Sequence, residues 1–218
     1  MLALRLTSIV LFAAVAGYAL QLSLLDSKYR YVVNVATHLE LGETVSADVN
    51  ATAAEIVFKS SFEAGCRSDI LRPALTVVLF HLDRTNQAVD YEKWASAHGA
   101  AENFLSSMIR CMPSDGNVWL REAVVSRAIA EDPTSLKQKM AMSNKLMPYE
   151  APQVFARLAI WKRISPFALA ACEGQARSDI RTALVYGSRE LKASLKMNMS
   201  AAFAALLKRE INNLAALG

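Results

Sequence analysis

The sequence predicts an all-α protein with an N-terminal transmembrane or signal-anchor helix, followed by a domain of antiparallel helical hairpins that ends in a long C-terminal helix. Three observations indicate this fold class. The 20 residues from Leu6 to Leu25 carry no charge, and a helix of that length spans a hydrocarbon core of about 30 Å. From Cys66 onward, apolar residues recur at helical spacing between capping residues. Two Met-Pro pairs place Pro113 and Pro148 35 residues apart, as in a paired-helix repeat.

Composition limits the classes of protein that the chain can belong to. It has 218 residues, of which 53% are hydrophobic, enough for a filled core and an additional apolar segment. This composition excludes a disordered chain. The net charge of +4 is mild, and the basic residues are spread along the chain. We do not expect a nucleic-acid partner, because such proteins cluster their basic residues on one face.

The N-terminal apolar segment has two main interpretations. In the first, Leu6–Leu25 is an uncleaved membrane anchor that follows Arg5. In the second, it is a signal peptide with Thr7–Ala13 as its apolar core and Ala14–Ala16 as its cleavage site. We favour the anchor, because the apolar run continues beyond that cleavage site. A buried N-terminal core helix is a third and weaker alternative.

The rest of the chain is expected to lie on one side of the membrane, because no later segment is apolar enough to span again. We divide the chain into an anchor or signal segment (residues 1–25), a mixed linker (26–65) and a helical-hairpin domain (66–218). In the linker, Tyr29–Val35 carries β-branched and aromatic residues, and Gly42 marks a turn. An extension of the membrane helix through this stretch is the alternative.

The helical-hairpin domain divides into eight predicted helices. Capping residues and first-turn prolines mark their starts, and glycines mark several of their ends. The predicted helices run from Ser68 to about Asp83, from Tyr91 to Arg110, from Asp115 to Ala130, from Asp132 to Met147, from Pro148 past Trp161, from Ser165 to Gly174, from Ser178 to Gly187, and from Ser188 nearly to the C terminus.

The segment from Pro113 to Ile164 resembles tetratricopeptide-type helical hairpins. In that family a proline closes one repeat and a tryptophan stands early in the next. Here Trp119 follows Pro113, and Ala123 occupies the small position four residues later. The sequence departs from the family pattern where Val154 replaces the second tryptophan and Ser126 replaces a tyrosine. The resemblance covers about one and a half repeats, and it implies a degenerate helical-hairpin domain that binds a protein partner.

A broader resemblance concerns the order of segments along the chain. An apolar N-terminal segment, an early cysteine, RCMPSDGNVWLREA and SNKLMPYEAPQVFARLAIW follow one another. This order resembles small membrane-anchored envelope proteins of bacterial polysaccharide assembly and export systems. The resemblance implies an accessory role without catalysis, in a single-pass inner-membrane protein whose bulk is periplasmic. A periplasmic or secreted protein cleaved near Ala16 is the alternative.

The cysteines support a pairing that can be tested. Cys66 precedes one predicted helix and Cys111 follows the next, so an antiparallel hairpin that turns at Thr85–Asp90 brings them together. A disulfide closing a loop of this size stabilises a fold by about 4 kcal/mol on the chain-entropy model. Cys172 lies among small residues and is expected to be a buried thiol. The alternative is three free cysteines, as in a cytosolic protein.

No motif predicts catalysis or metal binding. His38, His81 and His98 lie far apart and lack the spacing of zinc ligands. A glycine-rich phosphate loop, a Gly-x-Ser-x-Gly elbow and a Ser-x-x-Lys motif are missing from the sequence. We therefore expect no enzyme activity, no cofactor and no metal. The tryptophans and methionines are interpreted as core residues.

Two classes of function remain. The first is a membrane-anchored scaffold whose helical domain binds a protein partner in the envelope. The second is an envelope enzyme or a carbohydrate-binding protein, in which Glu150, Arg157 and Trp161 line a groove. The identity of the partner and the oligomeric state do not follow from the sequence. The weak candidates for interaction residues are Trp119, Tyr149, Glu150, Arg157 and Trp161.

Overall fold

The structure is a computed structural model that describes the backbone of residues 2–60 and 65–216 and the side chains of residues 11–59 and 65–216. Every regular element in these ranges is an α-helix, so the predicted all-α class is confirmed. The described helices are α1 (Leu2–Glu40), α2 (Ala47–Ser60), α3 (Ser68–Asp83), α4 (Tyr91–Cys111), α5 (Gly116–Ile129), α6 (Pro133–Leu146), α7 (Ala151–Trp161), α8 (Pro166–Ala171), α9 (Glu173–Tyr186), α10 (Arg189–Ser194) and α11 (Ala201–Ala215).

The chain forms two compact units, Met1–Asp90 with α1 to α3 and Tyr91–Gly218 with α4 to α11. In unit 1, the three helices contact one another pairwise and bury an apolar core. The boundary at Asp90 differs from the predicted boundaries after residues 25 and 65, because the predicted linker supplies helices to this core. The core of unit 1 contains Tyr29, Val32, Val35, Ala36, Ala53, Ala54, Val57, Ile70, Leu71, Ala74, Leu75, Val77, Val78 and Leu82.

The second half of α1 is helical, so the strand-like interpretation of Tyr29–Val35 is wrong and the alternative of a helical extension is correct. Tyr29, Val32 and Ala36 recur at helical spacing and are buried, and this stripe fixes the helix against its neighbours. The predicted turn at Gly42 is confirmed. Gly42 has φ +74°, a left-handed conformation that suits glycine. Its backbone N–H donates to Leu39 and that of Glu43 donates to His38, which closes α1 with a Schellman motif.

The first half of α1 has no packing partner over the residues whose side chains are described. All side chains from Leu11 to Gln21 are exposed. Large apolar residues dominate this stretch, with Phe12 79% exposed and Leu20 63% exposed. Within the described residues, no helix combines the length and the apolar character needed to cross a membrane. The predicted anchor begins before these residues, since the side chains of residues 6–10 lie outside the described part.

Four of the eight helices described in unit 2 begin at capping residues that the sequence indicates. Asp115 accepts a hydrogen bond from the Asn117 backbone at the start of α5, and Asp132 accepts from Thr134 and Ser135 at the start of α6. Proline is the first residue of both α6 and α8, where a missing N–H costs no helical hydrogen bond. The cap residues at the starts of α8, α10 and α11 are Ser165, Ser188 and Ser200.

Several predicted helix boundaries in unit 2 are wrong. Gly174 does not end a helix and Ser178 does not start one, because α8 ends at Ala171 and α9 already begins at Glu173. The predicted final helix from Ser188 is divided into α10 and α11, since residues 195–200 leave the helical path and Asn198 has φ +47°. Gly187 does end α9, as predicted. A left-handed residue followed by a new serine cap stops a helix even where apolar spacing continues.

The predicted disulfide is confirmed, since Cys66 and Cys111 are bonded to each other. Cys172 is a free, fully buried cysteine, also as predicted. Burial raises the pKa of its thiol to about 11, so the thiol is protonated at neutral pH. A persistent disulfide is typical of proteins in oxidising compartments.

Candidate functional site

Two of the predicted interaction residues, Arg157 and Trp161, are fully buried, so the expectation that they contact a partner or line a groove is wrong. Both donate hydrogen bonds to the buried carboxylate of Asp179. The Nη2 of Arg157 lies 2.8 Å from Oδ1, and the Nε1 of Trp161 lies 2.7 Å from Oδ2. Asn144 adds a third donor to the same carboxylate at 3.0 Å. These contacts join α6, α7 and α9.

The remaining donors of Arg157 are also satisfied within unit 2. Its Nη1 donates to the Met147 carbonyl at 2.9 Å and to the Ser143 hydroxyl at 3.3 Å. Burial raises the pKa of the Asp179 carboxyl, and the hydrogen bonds from Arg157 and Trp161 oppose that rise. A buried charge pair with this many hydrogen bonds is a structural brace. It presents no group to a ligand.

The other predicted interaction residues differ in accessibility. Trp119 is half-buried, and its Nε1 donates to the Pro113 carbonyl at 2.9 Å, which holds the turn before α5. Glu150 is exposed at the N-cap position of α7. Tyr149 is 68% exposed, and its ring meets that of Tyr186 edge-on with centroids 5.7 Å apart. Tyr149 and Glu150 therefore remain accessible to a partner.

Tyr149 stands at the rim of an open groove of about 550 Å³ within unit 2. Arg177 and Arg181 lie in this groove, and each bonds the buried carboxylate of Glu210 at 2.6 Å. Burial alone would raise the pKa of Glu210. The hydrogen bonds and charges of the two arginines have the larger combined effect, so the pKa lies below its ordinary value. The groove is lined by Tyr149, Gly174, Arg177, Ser178, Arg181, Thr182, Val185, Tyr186 and Leu214.

A second cavity of about 210 Å³ opens between α4, α5 and α6. A row of hydrogen-bonded polar side chains lies along this cavity. The Nζ of Lys139 donates to the hydroxyl of Ser126 at 2.5 Å, and Ser126 donates to Glu102 at 2.9 Å. Lys139 also pairs with Glu122 at 3.3 Å. The cavity is lined by Glu102, Ala123, Ser126, Arg127, Ile129, Ala130, Asp132, Ser135, Leu136 and Lys139.

The hydrogen bonds along this row of side chains do not have the directions of a serine nucleophile activated by lysine. A serine activated by lysine must donate its proton to a neutral amine. Here Ser126 accepts from Lys139 and donates to Glu102 instead. Burial raises the pKa of Glu122, which lies beside the lysine, and its Oε2 has no hydrogen-bond partner among the described residues. Lys139 is thus engaged by the side chains of Ser126 and Glu122.

This row of polar side chains was not predicted from the sequence. Ser126 and Lys139 stand on two different helices, so no short motif contains them. The available signal was the pair Glu122 and Ser126, polar residues four apart on the buried side of α5. Polar residues at core positions indicate either a satisfied network or a site.

The histidines have local partners where the structure describes them. His98 is buried, with its Nδ1 2.9 Å from the Trp94 carbonyl and its ring 4.3 Å from the Trp94 ring. The ring of His81 stands edge-on to Phe58. Among the described residues, no three histidine, cysteine, aspartate or glutamate side chains converge in a way that could hold a metal ion.

Comparison of the chain with known proteins adds no further assignment. No protein family, no curated protein and no solved structure matches it.

Proposed function

We propose that the protein is a membrane-anchored helical adaptor, with the first half of α1 inserted in the lipid bilayer and unit 2 available to a protein partner. The observation that carries this proposal is the apolar first half of α1, whose described side chains are exposed on every side of the helix. A helix that is apolar all round belongs in a protein core or in a membrane. No core encloses this one over its described residues.

The length of the uncharged run within α1 supports this proposal. The uncharged run from Leu6 to Leu25 is 20 residues long, and at about 1.5 Å per residue it covers the roughly 30 Å hydrocarbon core. The first charged residue after the run is Asp26, which is bound by Arg67 of unit 1. Tyr29 follows as the first buried residue of the unit 1 core. Within about one turn, the side chains of α1 thus change from exposed and apolar to packed in the core of unit 1.

The disulfide and the resemblance to bacterial envelope proteins support an extracytoplasmic location for the bulk of the chain. Cys66 and Cys111 are bonded, and disulfides persist mainly in oxidising compartments. We propose a single-pass protein of the inner membrane whose two units lie in the periplasm. In this setting, the adaptor serves surface polysaccharide assembly or export.

The groove beside Tyr149 is the surface that we propose for the protein partner. Tyrosine and arginine are enriched among the residues that dominate binding energy at interfaces. Tyr149 and Tyr186 are exposed aromatic anchors, and Arg177 and Arg181 are already positioned by Glu210. Side chains positioned before binding lose less conformational entropy when a partner docks.

Alkaline carbonate extraction of native membranes tests the anchor. We expect the full chain to resist extraction. The double variant Val15→Arg/Leu20→Arg is expected to move to the soluble or aggregated fraction, because each arginine at the centre of a membrane helix costs about 2.5–3.5 kcal/mol. Val89→Arg changes an exposed residue outside α1 and is the matched control. Release of the wild-type chain by carbonate would refute the anchor.

Site-specific photocrosslinking in the same membranes tests the groove. A photoreactive residue in place of Tyr149 is expected to give one discrete adduct with a membrane-complex protein. The same residue in place of Tyr91, which is also an exposed tyrosine of unit 2, is expected to give none. Equal adducts from both positions would mean that the groove is not the docking surface.

A further inference from the structure

We propose that the cavity between α4, α5 and α6 is a binding site for a small aliphatic α-amino acid, with the ligand carboxylate at Arg127 and the ligand ammonium at Glu102. This inference concerns a small molecule. It is independent of the adaptor function, which neither requires it nor depends on its outcome.

The first reason is an uncompensated cation. Arg127 lines the cavity and is half-buried, yet it makes no ion pair or hydrogen bond with any described residue. Its Nε atom is buried and lacks an acceptor within the same part of the chain. A partly buried guanidinium without an acceptor is costly. A carboxylate is its natural partner, because the planar fork of donors matches two carboxylate oxygens.

The second reason is an uncompensated anion on another wall. Glu102 lies on α4 and lines the same cavity. It accepts one hydrogen bond, from the Ser126 hydroxyl at 2.9 Å, and forms no ion pair with a described residue. That bond comes from a side chain that Lys139 holds in place. The carboxylate is thereby oriented, and its charge is available to an ammonium group.

The other two charged residues of the lining are already engaged. Lys139 pairs with Glu122, and Asp132 accepts two backbone hydrogen bonds at the start of α6. One cation and one anion therefore remain, Arg127 and Glu102. A simple anion would meet repulsion from Glu102, and a simple cation would meet repulsion from Arg127. A zwitterion satisfies both residues.

The size and the apolar walls define the ligand further. The cavity volume is about 210 Å³, whereas a water molecule takes about 30 Å³ in the liquid. The space therefore suits a molecule of several heavy atoms and excludes large metabolites. Ala123, Ile129 and Leu136 supply apolar lining. This lining fits a short branched or straight aliphatic side chain, as in valine.

Isothermal titration calorimetry of the full chain in detergent tests the proposal with three probes of matched shape. L-valine carries both charges, isovalerate carries only the carboxylate, and isobutylamine carries only the ammonium. We expect L-valine to bind and each single-charge probe to bind about tenfold more weakly or not at all, because one charge-assisted hydrogen-bonded contact is lost.

The variants Arg127→Gln and Glu102→Gln are expected to weaken L-valine binding by about tenfold or more. Arg163→Gln, which changes an arginine in a separate depression of unit 2, is the matched control and leaves binding unchanged. Circular dichroism melting of each variant establishes that it is folded. The proposal is overturned if no probe binds, if isovalerate binds as tightly as L-valine, or if folded Arg127→Gln retains wild-type affinity.

Discussion

The two units of the protein depart from the usual pattern of burial in opposite ways. Unit 1 exposes apolar side chains along the first half of α1, including Phe12 and Leu20. Unit 2 instead buries charge, and among the described residues the buried charged side chains all belong to it. They are Glu122, Arg157, Asp179 and Glu210.

The exposed apolar helix of unit 1 and the buried charges of unit 2 have different physical consequences. An exposed apolar helix is stabilised when an apolar environment covers it, and in the proposed function the lipid bilayer provides that environment for unit 1. Buried charges are tolerated only where partners are fixed in place, so unit 2 holds its helices in one arrangement. In the proposed adaptor, unit 1 is the attachment element, and unit 2 is the rigid element that carries the groove beside Tyr149.

The largest expected effect comes from breaking the buried pair of unit 2. Arg157→Met leaves Asp179 buried without its cation and is expected to lower the free energy of unfolding by about 3–5 kcal/mol. Urea unfolding followed by tryptophan fluorescence measures this effect in unit 2, because Trp94, Trp119 and Trp161 all lie there.

A double variant distinguishes the loss of a partner from the loss of packing. Arg157→Met/Asp179→Leu removes both charges, and we expect it to recover part of the stability lost in the single variant, because no buried charge remains but Trp161 and Asn144 lose their acceptor. If Arg157→Met changes the unfolding free energy by only about 0.5 kcal/mol, as surface substitutions do, then the pair does not brace the unit.

A smaller, pH-dependent effect is expected at Glu210. Its folded-state pKa lies below the ordinary value of 4.5, so the unfolded chain binds its proton more readily. The stabilisation from Glu210 is present above that value and is lost as the pH falls through the folded pKa. Urea midpoints measured between about pH 3 and pH 6 should fall less steeply for Glu210→Gln than for the wild type.

Glu92→Gln is the control for this pH profile, because Glu92 is an exposed carboxylate of the same unit. It should reproduce the wild-type profile. An unchanged profile in Glu210→Gln would mean that Arg177 and Arg181 do not stabilise the folded state through this carboxylate.

The smallest expected effect is at Asp69 in unit 1. Its side chain is 64% exposed and bonds Arg67 at 2.6 Å, and Arg67 lowers its pKa. Exposed ion pairs are worth at most about 1 kcal/mol, so Asp69→Asn should lower the unfolding free energy by no more than that. A thermal melt by circular dichroism is the measurement, and a loss as large as that of Arg157→Met would contradict the contrast between the units.

The sequence Arg-Ser-Asp-Ile, which occurs at Arg67–Ile70 and again at Arg177–Ile180, illustrates how much of the fold was predictable. At the first copy, α3 begins at Ser68 as predicted, but Arg67 is its N-cap residue and no side chain caps it; Asp69 lies in the first turn, where its charge suits the helix dipole. At the second, Asp179 lies within α9 and meets Arg157, 22 residues away in the sequence. The start of a helix can be predicted from neighbouring residues in the sequence. A contact with a side chain on another helix, such as that between Asp179 and Arg157, can be seen only in the folded structure.

The candidate site residues also differ in whether they could be predicted from the sequence. The disulfide was predictable, because cysteines that flank consecutive helices leave few alternatives. Tyr149 and Glu150 lie in the first turn of the helix predicted from Pro148, whereas in the structure they precede α7 and are exposed, as connecting residues usually are. Arg157 and Trp161 stand on the apolar stripe of α7, and their burial follows from that stripe. The cavity beside Arg127 could not be predicted, since its walls come from three helices.

The most direct test of the membrane-anchored, exported adaptor is the intact mass of the protein from native membranes. Free thiols are alkylated in denaturant without reduction, so that the buried Cys172 also reacts. The predicted mass retains residues 1–25 and carries one alkyl group, with Cys66 bonded to Cys111. A mass lacking the first 16 residues, or one carrying three alkyl groups, would contradict the anchored and exported protein.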